Sequence, residues 1–280
     1  MASMREIKRR RESIASTEQI TKAMKLVATV KLQKARSRAE SGKPYMREMH
    51  AAIRFILAHS ENHTHPFLKE TEGGRKALVL ISSNRGLAGG FNSNLIRLAE
   101  NRFPKEETLL YTMGKKGHDA LKNHGYEIAV DASEVVNAPL YQDAVKVTET
   151  LLEWYQEGRI SEIYLEYTEF KNTVVHEPKI IRLLPVERDD EETVVTPMNF
   201  DPDDDEVISN LIPQYMSALV FGALLESVAS ENGARMTAMD AATDNAEEMI
   251  QELSVAYNRA RQSAITQELT EIIAGSGTYV

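Results

Sequence analysis

Four short stretches of this chain hold residue types that could bind a ligand or catalyse a reaction. The first is the glycine-rich loop Ser83 to Asn92, SNRGLAGGFN, which follows an apolar run and could cradle a phosphate at a strand-to-helix turn. It has neither the G-x-G-x-x-G spacing of dinucleotide-binding loops nor the Gly-Lys-Ser/Thr ending of a P-loop. We therefore interpret it as a tight turn whose glycines permit positive φ angles.

The other three stretches favour structural roles. His59, His63 and His65 lie close together, but a metal site would need further ligands nearby, so we expect a mobile linker there. The acidic run 201–206 lacks the central glycine of a calcium loop and is expected to cap the next helix. The basic run 8–11 could contact nucleic acid phosphates, but no aromatic residue precedes Tyr45 to stack on bases. An acidic protein surface or an acidic partner helix suits it better.

The composition excludes several classes of function. None of the 280 residues is a cysteine, so disulfides, thiolate zinc sites and cysteine nucleophiles are absent. The net charge is −9, but basic residues gather near the start of the chain and acidic residues near its end. No Ser/His/Asp, paired-carboxylate or metal-ligand constellation stands out. We therefore expect no catalytic, cofactor or metal site on this chain.

Both ends of the chain are predicted to be long helices. Small and apolar residues recur every three or four positions from Val207 to Ala274, which indicates a helix of roughly 65 residues and about 100 Å. From Ser3 to Ser41 there is neither proline nor glycine, and a narrow stripe rich in Ala, Thr and Met follows the same period. Because one arm is basic and the other acidic, we expect them to pair as a coiled coil that projects from the rest of the protein.

Short apolar runs alternate with amphipathic segments between these arms. Strands are expected at 77–81, 109–111 and 162–170, and helices at about 94–101, 115–123 and 142–156. Residues 174–176 and 180–184 are expected to form a closing antiparallel pair, and linkers are expected at 59–74 and 186–205. The alternation predicts a mainly parallel sheet with helices on both faces. The fold class is therefore α/β plus a long coiled coil.

Three separated stretches resemble the gamma subunits of F-type ATP synthases. They are ITKAMKLVATVKLQKA at 20–35, SNRGLAGGFN at 83–92, and ENGARMTAMDA at 231–241, which resumes as NRARQSAITQELTEII at 258–273. Their order and spacing match over essentially the whole chain. The resemblance implies that helices at 1–58 and 205–275 form an antiparallel coiled-coil shaft, and that residues 75–190 form a Rossmann-like foot domain.

The same resemblance implies the function of a rotor. The shaft would turn inside a ring of three alpha and three beta subunits, and the foot would dock on the membrane ring of c subunits together with the epsilon subunit. This chain would then be a non-catalytic subunit of a proton-translocating ATP synthase, with no cofactor and no nucleic acid partner. It would lie peripherally on the cytoplasmic side of a bacterial cell membrane.

The resemblance also assigns six residues to contacts with beta subunits. Met24 and Lys25 are expected to face the mobile lever of a beta subunit. Arg261 and Gln262 match the family's Arg-Gln pair, which hydrogen-bonds to a beta-subunit loop. Thr266 and Glu271 lie on the same contact-bearing segment.

Two other classes of function stay open at this point. An α/β nucleotide- or substrate-binding enzyme with a coiled-coil oligomerisation arm would bind a ligand stoichiometrically at the loop 85–92. A nucleic-acid-binding protein that uses the basic arm would lose affinity steeply with added salt.

Overall fold

The computed structural model describes residues 3–60, 65–69, 73–173, 175–186 and 203–276. The helices in these ranges are α1 (Met4–His59), α2 (Phe91–Arg102), α3 (Lys115–Asn123), α4 (Tyr141–Gln156) and α5 (Asp204–Ser276). The strands are β1 (Arg75–Ile81), β2 (Thr108–Met113), β3 (Glu127–Asp131), β4 (Ile160–Phe170) and β5 (His176–Leu184), and a short 3-10 helix covers Ser133–Asn137.

The chain divides into two compact units. The terminal unit comprises the described residues of Met1–Ala28 and Met236–Val280, and the central unit comprises those of Thr29–Arg235. The terminal unit is therefore built from the first part of α1 and the last part of α5, whereas the central unit contains the sheet.

The central unit is organised by a five-stranded sheet with the strand order β3-β2-β1-β4-β5. β1 pairs in parallel with β2 and β4, β2 pairs in parallel with β3, and β5 is antiparallel to β4. The last five residues of β1 and all six of β2 are buried, as expected for strands covered on both faces. The predicted fold class, a mainly parallel sheet with helices on both faces plus long terminal helices, is confirmed.

Two apolar cores flank the sheet. On one face, α4 and parts of α1 and α5 pack against β-strand residues such as Val79, Ile163 and Leu165. On the other face, α2 contributes most of the helical contacts, with Phe91 and Leu95 packed against strand residues. The sequence alternation of short strands and amphipathic helices is explained by this three-layer arrangement.

The apolar part of α5 belongs to the core of the central unit. It places a buried side chain at every fourth position, namely Ile208, Ile212, Met216, Val220 and Leu224. By length and composition α5 could also cross a membrane, and 44% of its most apolar 18-residue window is buried in this structure. Packing against the sheet therefore accounts for this apolar stretch.

The structure corrects two expectations about the strands. Residues 176–184 form one strand instead of half of a local hairpin, since Pro178 lies opposite Thr168 in the ladder with β4. Proline is tolerated there because β5 is an edge strand, where its missing N–H leaves no ladder bond unmade. β3 was not predicted, because its residues alternate between exposed and half-buried positions and make no apolar run.

Candidate partner-contact surface

The terminal unit is a pair of antiparallel helices with a narrow seam. The hydroxyl oxygens of Thr21 and Thr243 lie 2.8 Å apart and form a buried hydrogen bond between the helices. Ala28, Met239 and Ala246 are buried nearby. Small and hydroxylated residues let the two backbones approach closely but bury little apolar area. The seam therefore holds the helices together less strongly than a leucine-rich coiled coil would.

Charged pairs line the seam on its outside. The Lys22 ammonium contacts the carboxylates of Glu18 and Glu247, and its Nζ lies 2.8 Å from Oε1 of Glu247. These hydrogen bonds raise the pKa of Lys22 and, from the other side, lower the pKa of Glu247. Lys25 pairs with Asp240 in the same way. The predicted attraction between a basic and an acidic helix is confirmed, although water screens these exposed pairs and limits what they add to stability.

Met24 and Lys25, the two residues assigned to a beta-subunit lever, are both half-buried on α1. The Lys25 ammonium is engaged by Asp240 of the partner helix. Leu26 and Val27, the next two residues, are 69% and 58% exposed. This part of α1 therefore presents apolar side chains to the surroundings beside a lysine that is already held inside the unit.

The other four assigned residues, Arg261, Gln262, Thr266 and Glu271, are all exposed on α5. Their internal hydrogen bonds are local: the Thr266 hydroxyl donates to the Gln262 carbonyl, and the Gln267 amide donates to the Glu271 carboxylate. Gln262 and Thr266 share one face because they are four residues apart. The span from Arg261 to Glu271 is about 15 Å at the rise of an α-helix.

Among the residues that the structure describes, no turn of α1 lies beside the last turns of α5. Arg11 lies over the ring of Tyr257, with 5.5 Å between the guanidinium carbon and the ring centroid. α1 begins only seven residues before Arg11, so the antiparallel pairing ends at roughly residue 264 of α5. Beyond that level every residue up to Ala274 is exposed, and four of them are large and apolar: Ile265, Leu269, Ile272 and Ile273. A row of this kind marks a surface that binds a partner.

The glycine-rich loop of the central unit is held by hydrogen bonds within the unit. Oδ1 of Asn92 accepts from the Ser83 backbone N–H at 3.0 Å, and Oδ1 of Asn84 accepts from the Lys115 backbone N–H at 2.9 Å. Gly89 has φ = 54°, so the predicted role of glycine in this turn is confirmed at that position. Leu87 also has a positive φ, 62°, and is 63% exposed. An apolar side chain is thus presented to solvent at a strained position.

Helix α5 lies across the end of the sheet where an open α/β fold commonly binds a nucleotide. In such folds the crevice opens at the carboxyl ends of the strands, where the strand order reverses, here between β1 and β4. Ser227 accepts the Thr168 backbone N–H and Ser230 donates to the Thr168 carbonyl. Arg235 donates weakly to the Gly86 carbonyl at 3.3 Å. The chain's own helix therefore satisfies backbone groups that a ligand would otherwise meet.

The remaining sequence candidates are structural where they are described. Asp203 caps α5, because its carboxylate accepts the Glu206 backbone N–H at 3.0 Å, as predicted for the acidic run. His65 contradicts the expected mobile linker: it is buried and hydrogen-bonds Ser209 and the Phe67 backbone N–H. His63 lies outside the described residues. Among the residues that the structure describes, no group of three or more His, Cys, Asp or Glu could hold a metal ion.

Sequence reasoning missed the residues that attach α5 to the sheet. Ser227, Ser230 and Arg235 lie on a stretch that was interpreted only as coiled coil, since its small residues continue the helical period. It also missed the buried Glu166 on β4 and the half-buried Glu226 on α5, whose Oε2 atom is buried. No local signal marks Glu166, because the alternation along β4 places it with Glu162 and Tyr164 on a side that the sequence alone presents as a solvent face.

Comparison with known proteins shows which family has this sequence and this architecture. A family model described as ATP synthase matches residues 3–278. The ATP synthase gamma chain of Lachnoclostridium phytofermentans is 53% identical, with 99% of each chain covered. A chain in the structure of the central stalk and c-ring of the Tetrahymena thermophila mitochondrial ATP synthase is 26% identical, with 80% of this chain and 99% of that one covered and a TM-score of 0.60.

A chain of the Euglena gracilis mitochondrial ATP synthase, from a structure of OSCP, F1 and c-ring, shares the fold. Its TM-score is 0.70 over 99% of this chain and 96% of that one, at 19% identity. The antiparallel terminal helices, the α/β unit and the matched family model agree with one another. The chain belongs to the family of ATP synthase gamma chains.

Proposed function

We propose that this chain is the central-stalk rotor of an F-type ATP synthase, and that its terminal unit turns against the catalytic subunits. The gamma chain is the rotor of that complex, and catalysis lies on the beta subunits. The observation that carries the proposal is the exposed apolar row on α5, Ile265, Leu269, Ile272 and Ile273, beyond the level at which α1 begins. A free helix end with this surface would be poorly soluble, whereas a sleeve of partner subunits would bury it.

The partners follow from the family. Alpha and beta subunits surround the gamma chain, and the epsilon subunit and the c-ring contact it on the membrane side. We assign the helices at 1–58 and 205–275 to the shaft and residues 75–190 to the foot that meets epsilon and the c-ring. The complex is membrane-associated, and we place this subunit on the cytoplasmic face of a bacterial membrane because the similar gamma chain of Lachnoclostridium phytofermentans is bacterial.

An asymmetric shaft can couple rotation to catalysis. The terminal unit has different side chains in every direction, so each orientation makes different contacts with each surrounding subunit. Only such differential contact shifts the populations of the conformations of a beta subunit. Because coupling free energies are reciprocal, nucleotide binding must then bias the orientation of the shaft as much as the orientation biases nucleotide affinity.

The narrow seam suits this role. A shaft that slides past changing partners needs a surface that adapts, and Met24 offers a flexible, unbranched side chain at the expected contact. Lys25 is paired with Asp240, so its ammonium already has a defined position when a partner approaches. We propose that Arg261 and Gln262 make polar contacts with a beta-subunit loop, and that Thr266 and Glu271 extend the same contact.

Native mass spectrometry of the complex purified through a tag on this chain tests the assembly. We expect one copy of this chain with three copies each of two larger subunits. A homodimer, or a monomer carrying one bound nucleotide, would contradict the rotor and support the nucleotide-binding enzyme instead. The hydrogen bonds of Ser227 and Ser230 to the Thr168 backbone argue against that second function, because they engage groups at the end of the sheet that a ligand would otherwise bind.

A charge change on α1 tests the contact assignment. In membrane vesicles, Met24→Lys should lower ATP-driven ion pumping relative to ATP hydrolysis, because a cation next to Lys25 changes the contact with the lever. Ala23→Lys adds the same charge one position along on the exposed side of the helix and serves as the matched control. Normal pumping and hydrolysis in the Met24 variant would show that the residue does not face the lever.

A further inference from the structure

The central unit contains a cavity of about 600 Å³ between α1, α5 and the outer strands of the sheet. This volume lies within the range of pockets that bind small organic molecules. Glycines create much of the space, because Gly42 of α1 and Gly222 of α5 line the cavity without side chains. A Cβ built on Gly42 would meet no atom within 4 Å. The cavity therefore has room for the apolar body of a ligand beside the two helices.

The wall of the cavity is mainly apolar. Ile181 and Leu225 contribute aliphatic side chains, and Phe221 contributes an aromatic ring. Tyr141 meets Phe221 edge to face, with 5.7 Å between the ring centroids. Water against such a wall is replaced favourably by a hydrocarbon chain. A ligand is therefore expected to place its hydrocarbon part inside the cavity.

The polar groups of the cavity lie on its open side. Lys43, Tyr45 and Tyr141 all line the cavity and are all exposed to solvent. The two tyrosines are neighbours, because burial and then the nearby Tyr45 raise the pKa of Tyr141. An ammonium group can only donate hydrogen bonds, and a phenol hydroxyl donates one. This opening therefore suits a ligand whose head group accepts hydrogen bonds.

The positive charge of Lys43 is open to a ligand. Within the described ranges of the chain, no hydrogen bond or ion pair engages its ammonium, and the lysine acts on Glu226 only from a distance. An ammonium at the edge of an apolar cavity attracts an anionic head group and repels a cationic one. The charge of the opening therefore selects the sign of the ligand.

Glu226 lines the same cavity, but its carboxyl group does not present a competing charge at the opening. Its Oε2 atom is buried, and the Phe170 backbone N–H donates a hydrogen bond to the carboxyl group. Burial raises the pKa of Glu226 and so favours the uncharged form, whereas the charge of Lys43 opposes that shift. Lys43 consequently dominates the charge that a ligand meets as it enters.

We propose that this cavity binds a single-chain amphiphile with a carboxylate head group. The carboxylate accepts hydrogen bonds from the Lys43 ammonium and from the tyrosine hydroxyls at the opening, and the hydrocarbon chain packs against Phe221 and the aliphatic wall. None of the six residues assigned to beta-subunit contacts lines this cavity, so the site is separate from them. Because α1, α5 and the sheet all contribute to its wall, a bound ligand stabilises the central unit.

Three probes with the same hydrocarbon chain separate charge from apolar burial. Octanoate is anionic, octylammonium is cationic and 1-octanol is neutral. Titration calorimetry of the full-length chain measures the affinity of each probe. We expect octanoate to bind at least about fivefold more tightly than octylammonium, since Lys43 attracts the first and repels the second across a partly exposed opening. Equal affinities for the two ions would overturn the role of Lys43.

Two substitutions at the cavity and one outside it test the site. Lys43→Met should weaken octanoate about fivefold and leave 1-octanol unchanged, whereas Lys34→Met removes the same charge from α1 outside the cavity and should change neither. Gly42→Leu fills the cavity and should abolish binding of all three probes, while a better helix former in mid-helix keeps the fold intact. Octanoate binding that survives Gly42→Leu in a folded chain would place the probe elsewhere and refute the proposal.

The assembled complex distinguishes a ligand from a neighbouring subunit as the occupant of the cavity. The readout is the octanoate binding that Gly42→Leu removes, measured once in the isolated full-length chain and once in the complex. We expect the same loss in both. No binding by the isolated chain at millimolar octanoate would refute the site. A loss seen in the isolated chain and missing from the complex would assign the cavity to another subunit and equally overturn the proposal.

Discussion

Glu166 should make this protein less stable as the pH rises through neutrality. The residue lies in the interior strand β4, opposite Leu80 of β1 and Ile180 of β5, and is completely buried. Neither carboxyl oxygen has a hydrogen-bond partner among the described residues. Burial therefore favours the protonated form and raises the pKa of Glu166 from 4.5 to about 8.

The sign follows from which state holds the proton. Between pH 4.5 and about 8 the folded chain keeps the proton on Glu166, whereas the unfolded chain has lost it. Raising the pH therefore favours the unfolded state, by about 1.4 kcal/mol for each pH unit in this window. From pH 5.5 to 7.5 the contribution of Glu166 to the free energy of unfolding should fall by about 3 kcal/mol.

Glu166→Gln isolates this effect because glutamine has the same shape and does not ionise. Urea unfolding of the full-length chain at pH 5.5, 6.5 and 7.5, followed by fluorescence of the single tryptophan, the buried Trp154, measures the free energy at each pH. Between pH 5.5 and 7.5 the free energy of unfolding of the variant should rise by about 3 kcal/mol relative to that of the unmodified chain. Any constant cost of burying an amide shifts the whole curve and leaves this difference in slope intact.

Glu169→Gln is the matched control on the same strand. Glu169 lies near the surface and pairs with Lys179 at 3.2 Å, so its removal should leave the slope of the unmodified chain unchanged. Parallel pH profiles for the Glu166 variant and the unmodified chain would refute the reasoning. They would mean that water or a polar group reaches Glu166 and lets it ionise in the folded state.

Further substitutions test three particular contacts. Gly114→Ala should destabilise the central unit by roughly 2–4 kcal/mol in thermal unfolding, because its Cβ would lie 2.3 Å from the Ser82 carbonyl oxygen and φ is +105°. A loss below about 0.5 kcal/mol would show that the backbone there adapts freely. Thr21→Val and Thr243→Val should show a coupling of about 1 kcal/mol in a double-mutant cycle on unfolding, whereas additive effects would deny the hydroxyl contact. Asp203→Ala should cost about 1 kcal/mol in urea unfolding through loss of the cap, and Asp203→Asn should restore most of it. Equal stability of all three forms would exclude that cap.

The terminal helices and their pairing could be predicted from the sequence because their signals are local and repeated. A four-residue period, opposite charge on the two arms and an acidic N-cap each follow from the residues themselves. The ion pairs Lys22–Glu247 and Lys25–Asp240 confirm the predicted attraction between the basic and the acidic helix. The six contact residues are different, since their role depends on subunits that lie outside this chain.

The buried carboxyls could not be predicted because their burial depends on distant segments. Alternation along β4 puts Glu162, Tyr164 and Glu166 on one side of the strand, which a sequence alone presents as a solvent face. That side is covered by the second apolar core, to which α2 and Ala234 of α5 contribute. Glu226 likewise stands on a helix whose surroundings are set by Tyr167 and Lys43, far away in sequence.

Rotation of this chain in an assembled complex is the most direct test of the central claim. Since the chain has no cysteine, Asn123→Cys on the exposed end of α3 offers a unique attachment point for a bead. With the alpha and beta subunits fixed to a surface, adding ATP should make the bead turn continuously in one direction, and a nucleotide that is not hydrolysed should stop it. A bead that stays fixed while the same complexes hydrolyse ATP would contradict the rotor.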